Sequence, residues 1–91
     1  MRVRPVPGAS VTVDAQGCLH VLTRSAGQSR RFRCGPVGTA MWIALRQQDG
    51  DVEAAARTLS SLWDTDETNT RADLDIWIDE MRDAGLVRTE P

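Results

Sequence analysis

Arg30-Arg31-Phe32-Arg33-Cys34-Gly35-Pro36-Val37-Gly38-Thr39-Ala40-Met41-Trp42 changes its period halfway along. Up to Cys34 the pattern alternates. Phe32 and Cys34 fall on one face of an extended chain and Arg31 and Arg33 on the other, as the two-residue repeat of a half-buried strand requires. After Gly35-Pro36 the apolar residues recur at spacings of three and four: Val37, Ala40, Met41, Ala44 and Leu45. Proline at a first helical position behind a permissive cap starts a helix, which this spacing carries to about Gln48. A strand therefore hands over to a helix at Gly35.

Upstream of the junction the chain reads as extended. Val11-Thr12-Val13 alternates, Asp14-Ala15-Gln16-Gly17 supplies turn chemistry, and Cys18 to Thr23 forms a second strand. Ser25-Ala26-Gly27-Gln28 is the next turn, and Arg30 to Cys34 the third strand. Residues 1–10, with Pro5, Pro7 and Gly8, are expected as an extended or loosely ordered arm. Downstream the chain reads as helical. Asp49-Gly50-Asp51 breaks the first helix and offers Asp51 as the next cap. Val52, Ala55, Ala56, Leu59 and Leu62 mark a second helix ending near Trp63. After a polar loop over 64–69, Thr70-Arg71-Ala72-Asp73 has the spacing of a capping box for a third helix, with Leu74, Trp77, Ile78 and Met81 as its apolar stripe. Gly85 stands where a helix C-terminus needs a left-handed residue, Leu86-Val87 extend beyond it, and residues 88–91 are left as a tail. Three strands followed by three helices give an α+β fold: a three-stranded antiparallel sheet packed on a small helical bundle, one domain over residues 11–87.

Composition bounds the function. The 91 residues are 41% hydrophobic and 26% charged, the profile of an ordinary globular domain. Three of the four aromatic residues are tryptophans, Trp42, Trp63 and Trp77, so each is expected to anchor a contact. Charge is segregated. Residues 1–48 hold seven arginines against Asp14 alone, a balance of +6, whereas residues 49–91 carry −8. Two cysteines, Cys18 and Cys34, are too few for a disulfide scaffold, and Met1 to Pro7 lacks the apolar stretch of a signal peptide. No run approaches a membrane span, so a cytoplasmic location is expected. Catalysis has little to work with. Cys18 and His20 share a strand face, but no further ligand stands at zinc-like spacing, and His20 is the only histidine. No glycine-rich phosphate loop is present. The expectation is a non-enzyme with no metal and no cofactor.

Taken in order, the turn glycine between two strands, G-P-x-G-x-x-x-W and a final D-L-x-x-W-I-x-x-M-x-x-x-G-L-V resemble the PqqD-like leader-recognition proteins of ribosomally made, modified peptides. The matching residues are Gly35, Pro36, Gly38 and Trp42, then Asp73, Leu74, Trp77, Ile78, Met81, Gly85, Leu86 and Val87. The likeness runs from about Val11 to Val87. It departs where family members often place leucine-asparagine before the proline and this chain has Cys34-Gly35. The resemblance implies a winged helix-turn-helix-like fold in which a precursor's leader adds as a strand to the third strand and lies against the third helix. It also implies delivery of that leader to a separate transglutaminase-like cysteine protease and a cyclase. Among such proteins the chain looks most like the free-standing leader-binding subunit of a split lasso-peptide protease, whose leader motif of spaced tyrosine, proline and leucine implies apolar pockets.

The peptide-binding residues expected on this basis are Arg30, Arg31, Phe32, Arg33 and Cys34 on the strand and Asp73, Ile76, Trp77 and Glu80 on the helix. At about 100° per residue Asp73, Trp77, Glu80 and Ala84 share one flank of the apolar stripe, and Ile76 lies off it. Blander roles compete. Asp73 also fits the capping box with Thr70, Trp77 and Trp42 also fit the core, and the strand arginines also fit a charged guard on an edge strand. Three alternative functions stand beside leader delivery. One is a peptide chaperone for a radical enzyme in another modified-peptide or quinone-cofactor pathway. Another is an adaptor that docks on an enzyme without touching substrate. The last is a DNA-binding winged helix with Arg24, Arg30, Arg31 and Arg33 as a basic wing. Against DNA stand Asp73, Asp75, Asp79, Glu80 and Asp83 on the third helix, whose field repels a duplex; no nucleic-acid partner is expected.

Overall fold

In the computed structural model, residues 2–25 and 27–90 are described. Met1 and Pro91, at the ends of the expected arm and tail, and Ala26 of the second turn lie outside them. Strands β1 (Arg2–Pro5), β2 (Ser10–Val13), β3 (Leu19–Ser25) and β4 (Gln28–Cys34) precede helices α1 (Pro36–Gln47), α2 (Val52–Trp63) and α3 (Glu67–Asp83). A last strand, β5 (Val87–Glu90), follows. β2, β3 and β4 form the three-stranded antiparallel meander read from the sequence, with β3 central. The fold is α+β.

The two ends of the chain differ from a loose arm and a free tail. β1 and β5 pair antiparallel from Arg2↔Glu90 to Pro5↔Val87, a second, two-stranded ribbon. The ribbon is tied to the α1–α2 turn. The Val3 N–H donates to the Gly50 carbonyl at 2.9 Å, and Arg4 hydrogen-bonds the Asp49 carboxylate. Gly50 has φ +81°, and a Cβ there would stand 2.4 Å from the Val3 carbonyl oxygen, so only glycine fits this crossing.

Helix ends follow from local chemistry. Asp51 caps α2 by accepting from the Ala54 N–H at 3.2 Å, as expected. α3 starts earlier than its capping-box pattern suggests. Its cap is Asp66, which accepts from the Thr68 N–H, and Thr70 sits one turn inside with its hydroxyl bonded to the Asp66 carbonyl at 3.0 Å. The box at Thr70–Asp73 is therefore not formed; Asp66-Glu67 supplies a cap and a first-turn acid sooner. Gly85 closes α3 with φ +80°. Its N–H bonds the Arg82 carbonyl, and the Leu86 N–H bonds the Met81 carbonyl, the paired bonds of a Schellman end.

The core is one cluster. Leu19 and Val21 from β3 meet Met41, Trp42 and Leu45 of α1, Leu59 of α2, Leu74 and Ile78 of α3, and Leu86. Leu19, Leu59, Leu74 and Leu86 are fully buried; truncating any of them to alanine is expected to cost about 2–5 kcal/mol. Two stripe residues depart from expectation. Val37 is 60% exposed and Leu62 68% exposed, because each lies at a helix end beyond the reach of its neighbours. Thr39 joins sheet to helix. Its buried hydroxyl accepts from the Leu19 N–H at 2.8 Å and donates to the Gly35 carbonyl at 3.0 Å, which pins α1 to the end of the β3–β4 ladder.

Candidate functional site: the open edge of β4 and the flank of α3

β4 lies at an edge of its sheet. Ser25 pairs with Gln28 across the turn, and the register runs back through Thr23↔Arg30 and Val21↔Phe32 to Leu19↔Cys34. In a two-residue hairpin the closing pair exchanges hydrogen bonds, and bonded and non-bonded pairs then alternate. Arg30 and Phe32 therefore spend their backbone groups on β3, as does the Cys34 N–H; the Leu19 N–H opposite Cys34 goes to the Thr39 hydroxyl instead. The N–H and C=O groups of Ser29, Arg31 and Arg33 point to the open edge.

Side chains divide the other way. Phe32 and Cys34 are half-buried against the core, and the Arg30 guanidinium lies 5.8 Å from the Phe32 ring centroid on the same face. Arg31 and Arg33 project from the opposite face. There Arg31 lies in a cleft with His20 and Leu22, and Arg33 donates to the Cys18 sulfur at 3.4 Å. Of the three strand arginines expected to bind peptide, only Arg30 shares the face of Phe32 and Cys34. The strand's period of two turns the other two to the opposite face.

β4 and α3 meet at Gly38. A Cβ on Gly38 would stand 3.1 Å from the Cys34 Cβ and 3.1 Å from the Trp77 Nε1. The missing side chain lets the Trp77 indole lie over the N-terminal turn of α1 beside Cys34. Burial pushes the Cys34 thiol above its ordinary range, which keeps it a neutral apolar surface. Behind Trp77 stands Trp42, edge to face, with centroids 6.5 Å apart at 86°. Trp42 is core, 6% exposed; Trp77 is half-buried and packs against that core.

The remaining helix residues rise along the same flank. Asp73 and Glu80 are exposed and, among the described residues, form no ion pair. The acids on the far flank are engaged within the helix: Asp75 with Arg71 at 3.1 Å and Asp79 with Arg82 at 3.1 Å. Ile76, 60% exposed, stands far more open to solvent than the half-buried Trp77. With its expected cap role removed, Asp73 is a free carboxylate beside the groove.

Sequence reading missed the polar cluster on the outer face of the sheet. Asp14 accepts from the Cys18 and Gln16 backbone N–H groups and meets His20 Nε2 at 2.8 Å. Chiefly the His20 hydrogen bond holds its carboxyl down at about 2. The signal was present, since an aspartate opening a tight turn commonly turns back on its own backbone. No hydrogen bond joins Cys18 to His20 among the described residues, and those residues contain no cluster of three or more metal-ligating side chains. No helix among them is long and apolar enough to cross a membrane.

Comparisons with known proteins bear on the family and the fold. Among curated proteins none matches the chain by sequence. A solved structure described as TbiB1 in complex with the TbiA(beta) leader peptide superposes with a TM-score of 0.81. At 14% identity it covers 97% of this chain and 98% of its own, so the likeness is one of fold. The family model for coenzyme PQQ synthesis protein D matches residues 20–87, which hold β4, Gly38 and the whole of α3; the chain belongs to the PqqD family.

Proposed function

We propose that the chain binds the leader segment of a ribosomally synthesised precursor peptide by strand addition to β4, and hands it to separate processing enzymes. The observation that carries this reading is the open backbone of Ser29, Arg31 and Arg33 beside the half-buried Trp77, with Gly38 as the floor between them. Backbone pairing with an added strand supplies affinity without regard to sequence, and alternate side chains supply specificity. Those on the inner face meet Trp77, Cys34, Phe32 and the Arg30 guanidinium. Those on the outer face meet Arg31 and Arg33. Free carboxylates at Asp73 and Glu80 favour a leader with cationic or donor groups along the helix side and fix its direction. The fold shared with a leader-bound protein supports the same reading.

The processing partners that suit a free-standing member are a transglutaminase-like cysteine protease and a cyclase of a lasso pathway, to which binding adds effective concentration and no chemistry. A radical enzyme of another modified-peptide pathway is the alternative, and pull-down with each enzyme separates the two. Among the described residues no hydrogen bond joins a cysteine to His20, which suits a binding role.

The test is titration with synthetic leader segments of candidate precursor peptides from the same genome, read by tryptophan fluorescence. Saturable binding that persists at moderate salt supports the reading. No response to leader, with salt-dependent binding of duplex DNA in its place, overturns it in favour of a basic wing.

A further inference from the structure

The sheet has a second open edge, and it differs from the first. β2 is exposed along its whole length. Its Ser10-Val11-Thr12-Val13 carries no charge, and Val11 and Val13 are 39% and 51% exposed. Both valines point to the inner face, opposite Val21 and Leu19, where helix cover gives out. The Asp14 N–H bonds the Cys18 carbonyl at 3.0 Å. Alternation from that pair turns the backbone groups of Ser10 and Thr12 to β3 and those of Val11 and Val13 outward. An uncharged, apolar edge with free backbone groups is a pairing template.

Beside it lies a cleft between β2 and the terminal ribbon, with Pro5, Val11 and the buried Trp42 as its apolar part and Arg4, Arg46 and Arg88 around it. Arg4 and Arg88 share Glu90, at 3.8 and 3.3 Å, and Arg2 and Arg4 share Asp49. Arg46 has no ion pair among the described residues. Four arginines against two acids leave this face cationic on a chain whose net charge is −2. The surplus selects an acidic occupant, and the free strand edge selects one with an extended backbone.

We propose that the β2 edge and its arginine cleft form a second docking site, for an acidic extended segment of a partner protein. The segment adds to β2 at Val11 and Val13, puts an apolar side chain against Trp42 and Pro5, and sets its carboxylates on Arg46 and Arg88. This goes beyond leader binding and shares no residue with the β4 groove, so the two can fail separately.

The experiment uses the whole chain, isotope-labelled, with a labelled peptide of alternating glutamate and valine as probe and its lysine counterpart as control. Expected are saturable binding of the glutamate peptide only, amide shifts at Val11 and Val13, and a shift of the Trp42 indole. Arg46→Glu and Val11→Asp should each weaken it about tenfold, with circular dichroism and leader affinity unchanged. The proposal is overturned by no binding, by equal binding of the lysine peptide, or by shifts confined to Arg31 and Arg33. It is also overturned if Val11→Asp abolishes a dimer in sedimentation velocity and leaves peptide binding intact, since the occupant is then a second copy.

Discussion

The two edges of the small sheet solve one physical problem in opposite ways. An edge strand exposes unpaired backbone groups and must be guarded against indiscriminate pairing. β4 is guarded by charge: Arg30, Arg31 and Arg33 stand in a seven-residue strand, so an added strand must suit these three guanidinium groups and the flank of α3. β2 carries no charge and is only four residues long; its arginines belong to β1, α1 and β5 around it. Where charge sits within the strand, the edge can be long and still selective. Where charge surrounds the strand, the edge is short and the selection is for charge.

That contrast can be broken by substitution. The largest effect is expected from Trp77→Ala, which removes the surface joining α3 to Cys34. Leader affinity should fall about 30-fold, the loss typical of an interface hot spot. Thermal unfolding should show a smaller cost than the 3–5 kcal/mol or so of a fully buried ring. An unchanged affinity would place the leader elsewhere. Next is Arg31→Pro, which removes an N–H that points outward. Leader affinity should drop about tenfold while the fold survives, because proline is tolerated where no ladder bond is lost. Val11→Pro, the matching change on the other edge, should leave leader affinity unaltered.

A smaller change sharpens the electrostatic part. Glu80→Arg should weaken leader binding about threefold at low salt and less at high salt, as for an exposed charge at a rim. Smallest of all is the effect of Asp14 on acid stability. Its carboxyl titrates at about 2 in the folded protein, below the 3.8 of a free aspartate. The stabilisation is therefore complete above about pH 4 and lost as pH falls through about 2. Asp14→Asn should flatten that acid limb in circular dichroism and leave both edges working.

What the sequence made legible was local. The alternation of Phe32 and Cys34, the start at Gly35-Pro36, the Asp51 cap and the Gly85 end each depend on a few neighbouring residues, and each is present. The β1–β5 ribbon was not legible. Arg2-Val3-Arg4-Pro5 has no decisive period, and its partners stand at Gly50 and at Val87–Glu90. The start of α3 misled because Thr70-x-x-Asp73 mimics a capping box, whereas Asp66 caps the helix a turn earlier. At the candidate site, the flank of Asp73, Trp77 and Glu80 followed from helical spacing. The joint at Gly38 needed the tertiary approach of Trp77 to Cys34, which no spacing encodes.

The central claim is strand addition at β4, and amide hydrogen exchange with and without bound leader tests it most directly. The outward amides of Ser29, Arg31 and Arg33 should gain protection on binding. Those of Arg30, Phe32 and Cys34, already bonded to β3, and those of Val11 and Val13 should change little. Protection gained at Val11 and Val13 with none at Arg31 and Arg33 would contradict the account and move the leader to the other edge.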